Sequence, residues 1–237
     1  MPCNSAHSIL GHFHDYAGGV FPLVKPMPLV AVREPFSDPE WFYEVKWDGF
    51  RALAFIDGHH CKLVSRRGHA YRAWPYLNEE IAHWARCDAA VLDGEIVCLA
   101  PDGRSQFYDL LFRRERPYFF AFDLLSLNGK DLRGVPLRTR KQRLARIMPR
   151  ARIQSRLRLV EHIEGAGVQF FKAACKHDLE GIVAKWAAGT YRPDGRTSWL
   201  KIKNPGYSQA EGRHELFEKR RPRGDHARWT KPILELR

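Results

Sequence analysis

Three segments of this sequence put lysines where strand-like, apolar neighbours surround them. They are Glu44-Val45-Lys46-Trp47-Asp48-Gly49-Phe50-Arg51, Gly181-Ile182-Val183-Ala184-Lys185 and Trp199-Leu200-Lys201-Ile202-Lys203. A side-chain period of two places Glu44 and Lys46 on one face of a strand. The same period puts Lys201 and Lys203 on one face of another, with Leu200 and Ile202 opposite. Asp48-Gly49 is expected to turn the chain and bring Arg51 back beside Lys46. An unpaired buried ammonium is costly, so cations in such places call for a shared anion, and a triphosphate would serve. A free lysine has a pKa near ~10.4, which leaves about one molecule in 2,500 as the neutral nucleophile at pH 7. Neighbouring cations and partial burial both lower such a pKa, and both are available if Lys185, Lys201 and Lys203 converge near Lys46. Mg²⁺ on the phosphates would act in the same direction, with Glu95 and Glu180, each beside a glycine, as its candidate carboxylates.

Other nucleotide sites are excluded. There is no GxxxxGK[ST] loop, since Gly129-Lys130 has Leu124 where the first glycine belongs, and no GxGxxG follows a strand. A bound nucleotide must therefore be held by side chains on a sheet. The 39 Lys+Arg against 27 Asp+Glu give a formal charge of +12, which favours an anionic partner such as nucleic acid without naming it. Five scattered cysteines with no CxxC pair read as free thiols of a reducing compartment. Cys3, His7, His12 and His14 match no standard zinc spacing. With no secretory signal pattern and no apolar run near the ~18 residues of a membrane span, the expectation is a soluble cytoplasmic protein with no membrane partner. In a bacterium it would be nucleoid-associated.

The elements that must position these residues are short strands and a few helices. Strands are expected at Phe42–Lys46, Arg51–Ile56, Cys61–Ser65, Val91–Leu99 (interrupted at Asp93-Gly94), Tyr118–Leu127, Gly181–Lys185 and Trp199–Lys203. Helices are expected from Pro75 through Ala85, around Leu137, Leu144 and Ile147 up to Pro149, and around Val168, Phe171 and Cys175. Hairpin-joined strands with interspersed helices predict an α+β, mostly antiparallel fold. Residues 1–38 read as a lead-in wrapping the domain surface, 39–207 as the core, and 208–237 as a basic tail.

The chemistry-bearing segments resemble the ordered motifs of covalent nucleotidyltransferases, that is, DNA ligases, RNA ligases and mRNA capping enzymes. Lys46-Trp47-Asp48-Gly49-Phe50-Arg51 is similar to the KxDGxR signature; Ser65-Arg66-Arg67-Gly68 and Leu92-Asp93-Gly94-Glu95 resemble the next two elements. Ala121-Phe122-Asp123-Leu124-Leu125, Glu180–Lys185 and Trp199–Lys203 complete the series. In detail the set most resembles ATP-dependent DNA ligases of the bacterial end-joining type. The resemblance implies that Lys46 attacks the α-phosphate of ATP to give lysyl-AMP. It implies that Glu44 reads the adenine amino group, that Phe122 stacks on the ring, and that Arg51 and Arg66 contact sugar, phosphate or the DNA 5′-phosphate. Glu95 and Glu180 would bind ribose or metal, and Lys185, Lys201 and Lys203 would grip phosphates. Nicked or broken double-stranded DNA is the implied substrate.

Structural readings stand beside these. Arg66 and Arg67 could be solvated turn charges, Phe122 core, Trp47 and Trp199 packing, and the Arg138–Arg146 helix a solvated face or a track for DNA phosphates. The sequence also departs from the family. Only 34 residues follow Lys203, whereas an oligonucleotide-binding (OB) barrel needs at least ~45–50 residues. No OB-fold is therefore expected, leaving slow action alone, a separate OB-fold or end-binding partner, or use of pre-adenylated ends. Rival readings are an RNA ligase or GTP-using capping-type enzyme, and a non-catalytic module that binds nucleotide or DNA ends.

Overall fold

Two sheets assemble from the strand-like segments in a computed structural model that describes residues 24–150, 154–192, 194 and 196–210. The first sheet runs in the order β1 (Val30–Val32), β11 (Trp199–Lys203), β10 (Gly181–Trp186), β2 (Trp41–Val45), β9 (His162–Glu164). Its pairs are antiparallel except β1 with β11. The second sheet runs β4 (His60–Ser65), β3 (Phe50–Asp57), β5 (Ala89–Val97), β6 (Tyr118–Leu127), β7 (Lys130–Asp131), with β8 (Leu157–Leu159) parallel to β6. The fold is α+β and largely antiparallel, as expected.

Register decides which residues meet. In the first sheet Val183 lies opposite both Glu44 and Lys201, and Lys185 opposite both Phe42 and Trp199. Cross-strand partners share a face, so Glu44, Val183, Lys185, Trp199 and Lys201 all point the same way. The opposite face carries Tyr43, Ile182, Ala184 and Ile202, which pack with Phe170, Phe171 and Ala174 of α4 (Gly167–Lys176). The second sheet is two-sided in the same manner. Ala52, Ala54 and Ile56 pack on Leu77 and Ile81 of α1 (Pro75–Trp84), and Leu144 of α3 (Leu137–Ile147) joins that cluster. Leu53, Val91 and Leu125 instead meet Val183, Trp199 and Met27 between the sheets. This inter-sheet layer is where the charged face of the first sheet is enclosed.

Helix boundaries follow local chemistry. Pro75 occupies the first turn of α1, where its missing N–H costs nothing. Helix α3 ends with Met148 extended, because Pro149 disfavours helical backbone in the residue before it. A further short helix, α2 (Phe107–Phe112), escaped the sequence reading.

Two findings change the expected picture. Residues 24–38 pack on the core and also extend it: Val24 and Met27 are buried between the sheets, and Val30–Val32 adds a strand where none was expected. A three-residue strand is too short to show a period, which is why its segment read as irregular. The α3 helix is not simply a solvated basic face either. Arg140 is fully buried and Lys141 nearly so, at 0% and 4% exposure. They fall in line with Leu137, Leu144 and Ile147 at helical spacing.

The chain divides into two units, Met1–Tyr207 and Ser208–Arg237. Both sheets lie in the first, and residues 208–210 of the second form a 3-10 turn. Among the described residues no strand follows Lys203 and no helix is long and apolar enough to cross a membrane. Cys3, His7, His12 and His14 lie outside the described residues.

Candidate active site

Lys46 follows β2 directly, and its N–H donates to the carbonyl of Gly181 at 3.0 Å, extending the β2–β10 pairing by one step. That contact sets the lysine beside Glu180, whose Oε2 accepts from Nζ at 2.5 Å. Both side chains are largely enclosed, at 17% and 10% exposure. Two glycines make this approach possible. A Cβ on Gly49 would sit 2.0 Å from the Ile96 carbonyl oxygen. Gly181 has φ +139, and a Cβ there would lie 2.1 Å from the carbonyl oxygen of Ile202. The glycines after Asp48 and Glu180 thus permit backbone contacts that any side chain would block.

Lys203 Nζ lies 3.8 Å from the other oxygen of Glu180, so one carboxylate bridges Lys46 and Lys203. Lys201 is held below the usual lysine range by partial burial, then by the charges of Lys203 and Lys46, with Arg66 adding to them. Glu180 opposes that shift. Arg66 itself is exposed, outside the pocket walls. Lys46, Lys201, Lys203, Arg66 and Glu180 therefore form one electrostatic group.

Lys185 belongs to a second group. Its Nζ donates to Glu44 Oε2 at 2.6 Å and lies 4.2 Å from the ring centres of both Phe122 and Trp199. Burial pushes its ammonium down to about 8, with Glu44 opposing and Lys141 reinforcing the shift. Glu44 Oε1 accepts from Lys141 at 2.7 Å. The carboxylate is thus held between two buried lysines, the arrangement that makes its own burial tolerable.

Both groups border one pocket that opens to solvent. Glu44, Lys46, Val183, Lys185 and Trp199 wall it from the first sheet, and Arg51, Glu95 and Phe122 from the second. Glu95 faces Arg51 across β3 and β5. Burial pushes its carboxyl up to about 8; Lys46 and Arg51 pull the other way, and Glu180 and Asp93 add to the rise. Arg51 is partly committed: it grips Asp93 through Nε and Nη2 at 3.0 and 2.7 Å and donates from Nη1 to the Met27 carbonyl at 2.6 Å. Tyr191 closes this network by donating to Asp93 at 2.8 Å and accepting from the Met27 N–H at 2.8 Å.

Of the residues named from sequence, Glu44, Lys46, Arg51, Glu95, Phe122 and Lys185 line the pocket. Glu180 and Lys203 join it through Lys46, Lys201 lies in their field, and Arg66 stays outside. The paired cations divide among Glu44, Asp93 and Glu180. Lys141, Trp199 and the Asp93–Tyr191–Met27 network were missed. Lys141 was legible in principle, because it occupies the inward stripe of α3. The network joins residues up to 164 positions apart, and no local pattern marks it.

Two facing sheets with a partly enclosed lysine at their shared pocket define a nucleotidyltransferase core. Residues 23–203 match the ATP dependent DNA ligase domain family, and the chain belongs to that family. The multifunctional non-homologous end joining protein LigD of Pseudomonas aeruginosa is 33% identical over 196 residues, covering 79% of this chain and 23% of that protein. The SPbeta prophage-derived DNA ligase-like protein LigB of Bacillus subtilis is 29% identical over 195 residues, covering 78% of this chain and 69% of LigB. A solved structure of mycobacterial DNA ligase D complexed with ATP and MES superposes with a TM-score of 0.62 at 32% identity, covering 75% of this chain and 60% of that one. The chain thus spans about a quarter to a third of the length of the LigD proteins it matches.

Proposed function

We propose that this chain is an adenylate-transferring core acting on DNA, with Lys46 as the nucleophile. The observation that carries the reading is the Lys46 amine held 2.5 Å from Glu180 beside a pocket that also offers Glu44 and Phe122. In the first step Nζ forms a bond to the α-phosphorus of ATP while the α–β phosphoanhydride bond breaks. Pyrophosphate leaves, and the amine gives up a proton. Glu180 orients Nζ and can accept that proton. Lys201 and Lys203 stand where they can neutralise phosphate charge, and Arg66 extends the positive rim. Glu44 accepts from the exocyclic amino group of adenine, and Phe122 supplies an apolar face for the ring. Lys185 fixes the Glu44 carboxylate from within the pocket wall and has N–H groups left for the nucleotide. Such catalysis is positioning plus charge neutralisation.

Mg²⁺ fits this site. The charge of Glu180 adds to the rise of the Glu95 carboxyl, a crowding that a divalent cation between them would relieve. Bound by these two carboxylates, it would offset the negative charge of the phosphates.

In the second and third steps AMP passes from Lys46 to a DNA 5′-phosphate, and an adjacent 3′-hydroxyl displaces it to seal the strand. The substrate in this reading is nicked or broken duplex DNA, consistent with the formal charge of +12, and the process served is end-joining repair. The test is incubation with Mg²⁺ and α-labelled ATP, then a nicked duplex, with and without a separate OB-fold protein. Label should enter the wild type, be absent from Lys46→Ala, and move to DNA only when the nick carries a 5′-phosphate. GTP should label at least tenfold less. A wild type that takes up no label under any of these conditions refutes the reading.

A further inference from the structure

Behind the pocket wall, Lys141 spends its donors on protein acceptors alone. Its Nζ lies 2.7 Å from Glu44 Oε1, 2.8 Å from the Val160 carbonyl oxygen and 3.5 Å from that of Phe122. An ammonium has three hydrogens, so these three acceptors leave it none for a ligand. Lys141 is absent from the pocket lining, whereas its partner Glu44 is part of it. The side chain comes from α3, passes β6 and the end of β8, and reaches a strand of the other sheet. Its cost of burial is incurred for one carboxylate.

Holding the helix in place does not require this lysine. The neighbouring Arg140 ties α3 to β6 through paired bonds of 2.8 Å to both oxygens of Asp123, and Leu137, Leu144 and Ile147 pack beneath the helix. A methionine at position 141 would fill similar volume without incurring the desolvation of a charge. What the ammonium adds is a second cation on Glu44. With Lys185 on Oε2 and Lys141 on Oε1, neither carboxylate oxygen is free to swing, and the group is fixed in place as an acceptor. Each oxygen retains lone-pair capacity for one further donor from the pocket.

We propose that Lys141 is a positioning residue for base selection: by clamping Glu44 from behind, it makes the pocket require an exocyclic amino group on the purine. The inference rests on the reading of Glu44 as the base acceptor and is independent of whether Lys46 becomes adenylated. It assigns the two lysines different work. Lys185 borders the ligand; Lys141 never touches it.

The test compares equilibrium binding of ATP and of purine riboside triphosphate, which lacks only the exocyclic amino group, by calorimetry on the full chain. A hydrogen bond to a charged acceptor corresponds to a preference of roughly ten- to a hundredfold for ATP in the wild type. In Lys141→Met the preference should shrink to about threefold or less, through weaker ATP binding, while the affinity for the analogue stays nearly constant. If the methionine variant does not fold, Lys141→Gln is read in the same way. Retained preference in the variant overturns the proposal. So does an equal loss for both nucleotides, which would mean that Lys141 supports the pocket as a whole, and so does a wild type without preference. Labelling of Lys46 is scored in parallel. A wild type that binds ATP selectively but takes no label refutes adenylation alone; one that labels while Lys141→Met keeps its selectivity refutes this proposal alone.

Discussion

Replacing Arg140 with methionine should destabilise the protein far more than a substitution on a basic helix ordinarily does. Arg140 and Asp123 are both 0% exposed and joined by two bonds of 2.8 Å. Arg140 Nη1 also donates to the Gly189 carbonyl at 3.1 Å and to the Val135 carbonyl at 2.5 Å. Methionine fills much of the volume but takes both guanidinium donors from Asp123, which keeps the Leu124 N–H at 2.8 Å. Removing one partner of such a pair costs about 3–5 kcal/mol, because the remaining charge stays buried. For a unit of this size that is a fall of roughly 6–20 °C in Tm. Urea denaturation followed by tryptophan fluorescence measures the free energy directly, with an unchanged slope as the check on two-state behaviour. The double variant Arg140→Met, Asp123→Leu removes both charges and should recover most of the loss, to within about 1–2 kcal/mol of wild type. A single-variant cost below about 1 kcal/mol, the range of surface substitutions, would refute the buried-tie reasoning and return α3 to a solvated face.

The Glu95 carboxyl is held at about 8 in the folded chain against an ordinary 4.5, chiefly by burial. The folded state therefore keeps this proton to higher pH than the unfolded state does, and stability falls as pH rises from about 5 to above 8. Glu95→Gln should remove that loss, so its stability relative to wild type should grow across this window by on the order of a few kcal/mol in urea titrations at pH 5 and 8.5; a constant difference would contradict the burial argument. Phe122→Ala should weaken ATP binding about five- to a hundredfold, as loss of an aromatic stacking face does, with Phe122→Tyr close to wild type by calorimetry. Gly49→Ala, whose Cβ would lie 2.0 Å from the Ile96 carbonyl oxygen, should cost about 1–3 kcal/mol and slow Lys46 labelling at least tenfold.

Much of the site was legible because strand parity is local. Glu44 and Lys46, and Lys201 and Lys203, were assigned to common faces from a period of two, and the registers of β2, β10 and β11 place those faces together. The glycines after Asp48 and Glu180 could be flagged but not explained, since the carbonyls they approach belong to distant Ile96 and Ile202. The division of the cations was not legible. Whether Lys185 meets Glu44 or Glu180 depends on side-chain reach across a sheet, which periodicity does not encode. Strands β1, β8 and β9 have three residues each, too few for a pattern to rise above background. In α3 the abundance of Arg and Lys masked a helical stripe that places Arg140 and Lys141 among leucines.

Mass spectrometry of the intact protein after incubation with Mg²⁺ and ATP, followed by peptide mapping, tests the central claim most directly. The expected result is one added AMP, carried on the Lys46 side chain and removed by pyrophosphate. An unmodified protein that nonetheless binds ATP, or AMP found on Lys185, Lys201 or Lys203 in its place, would contradict it.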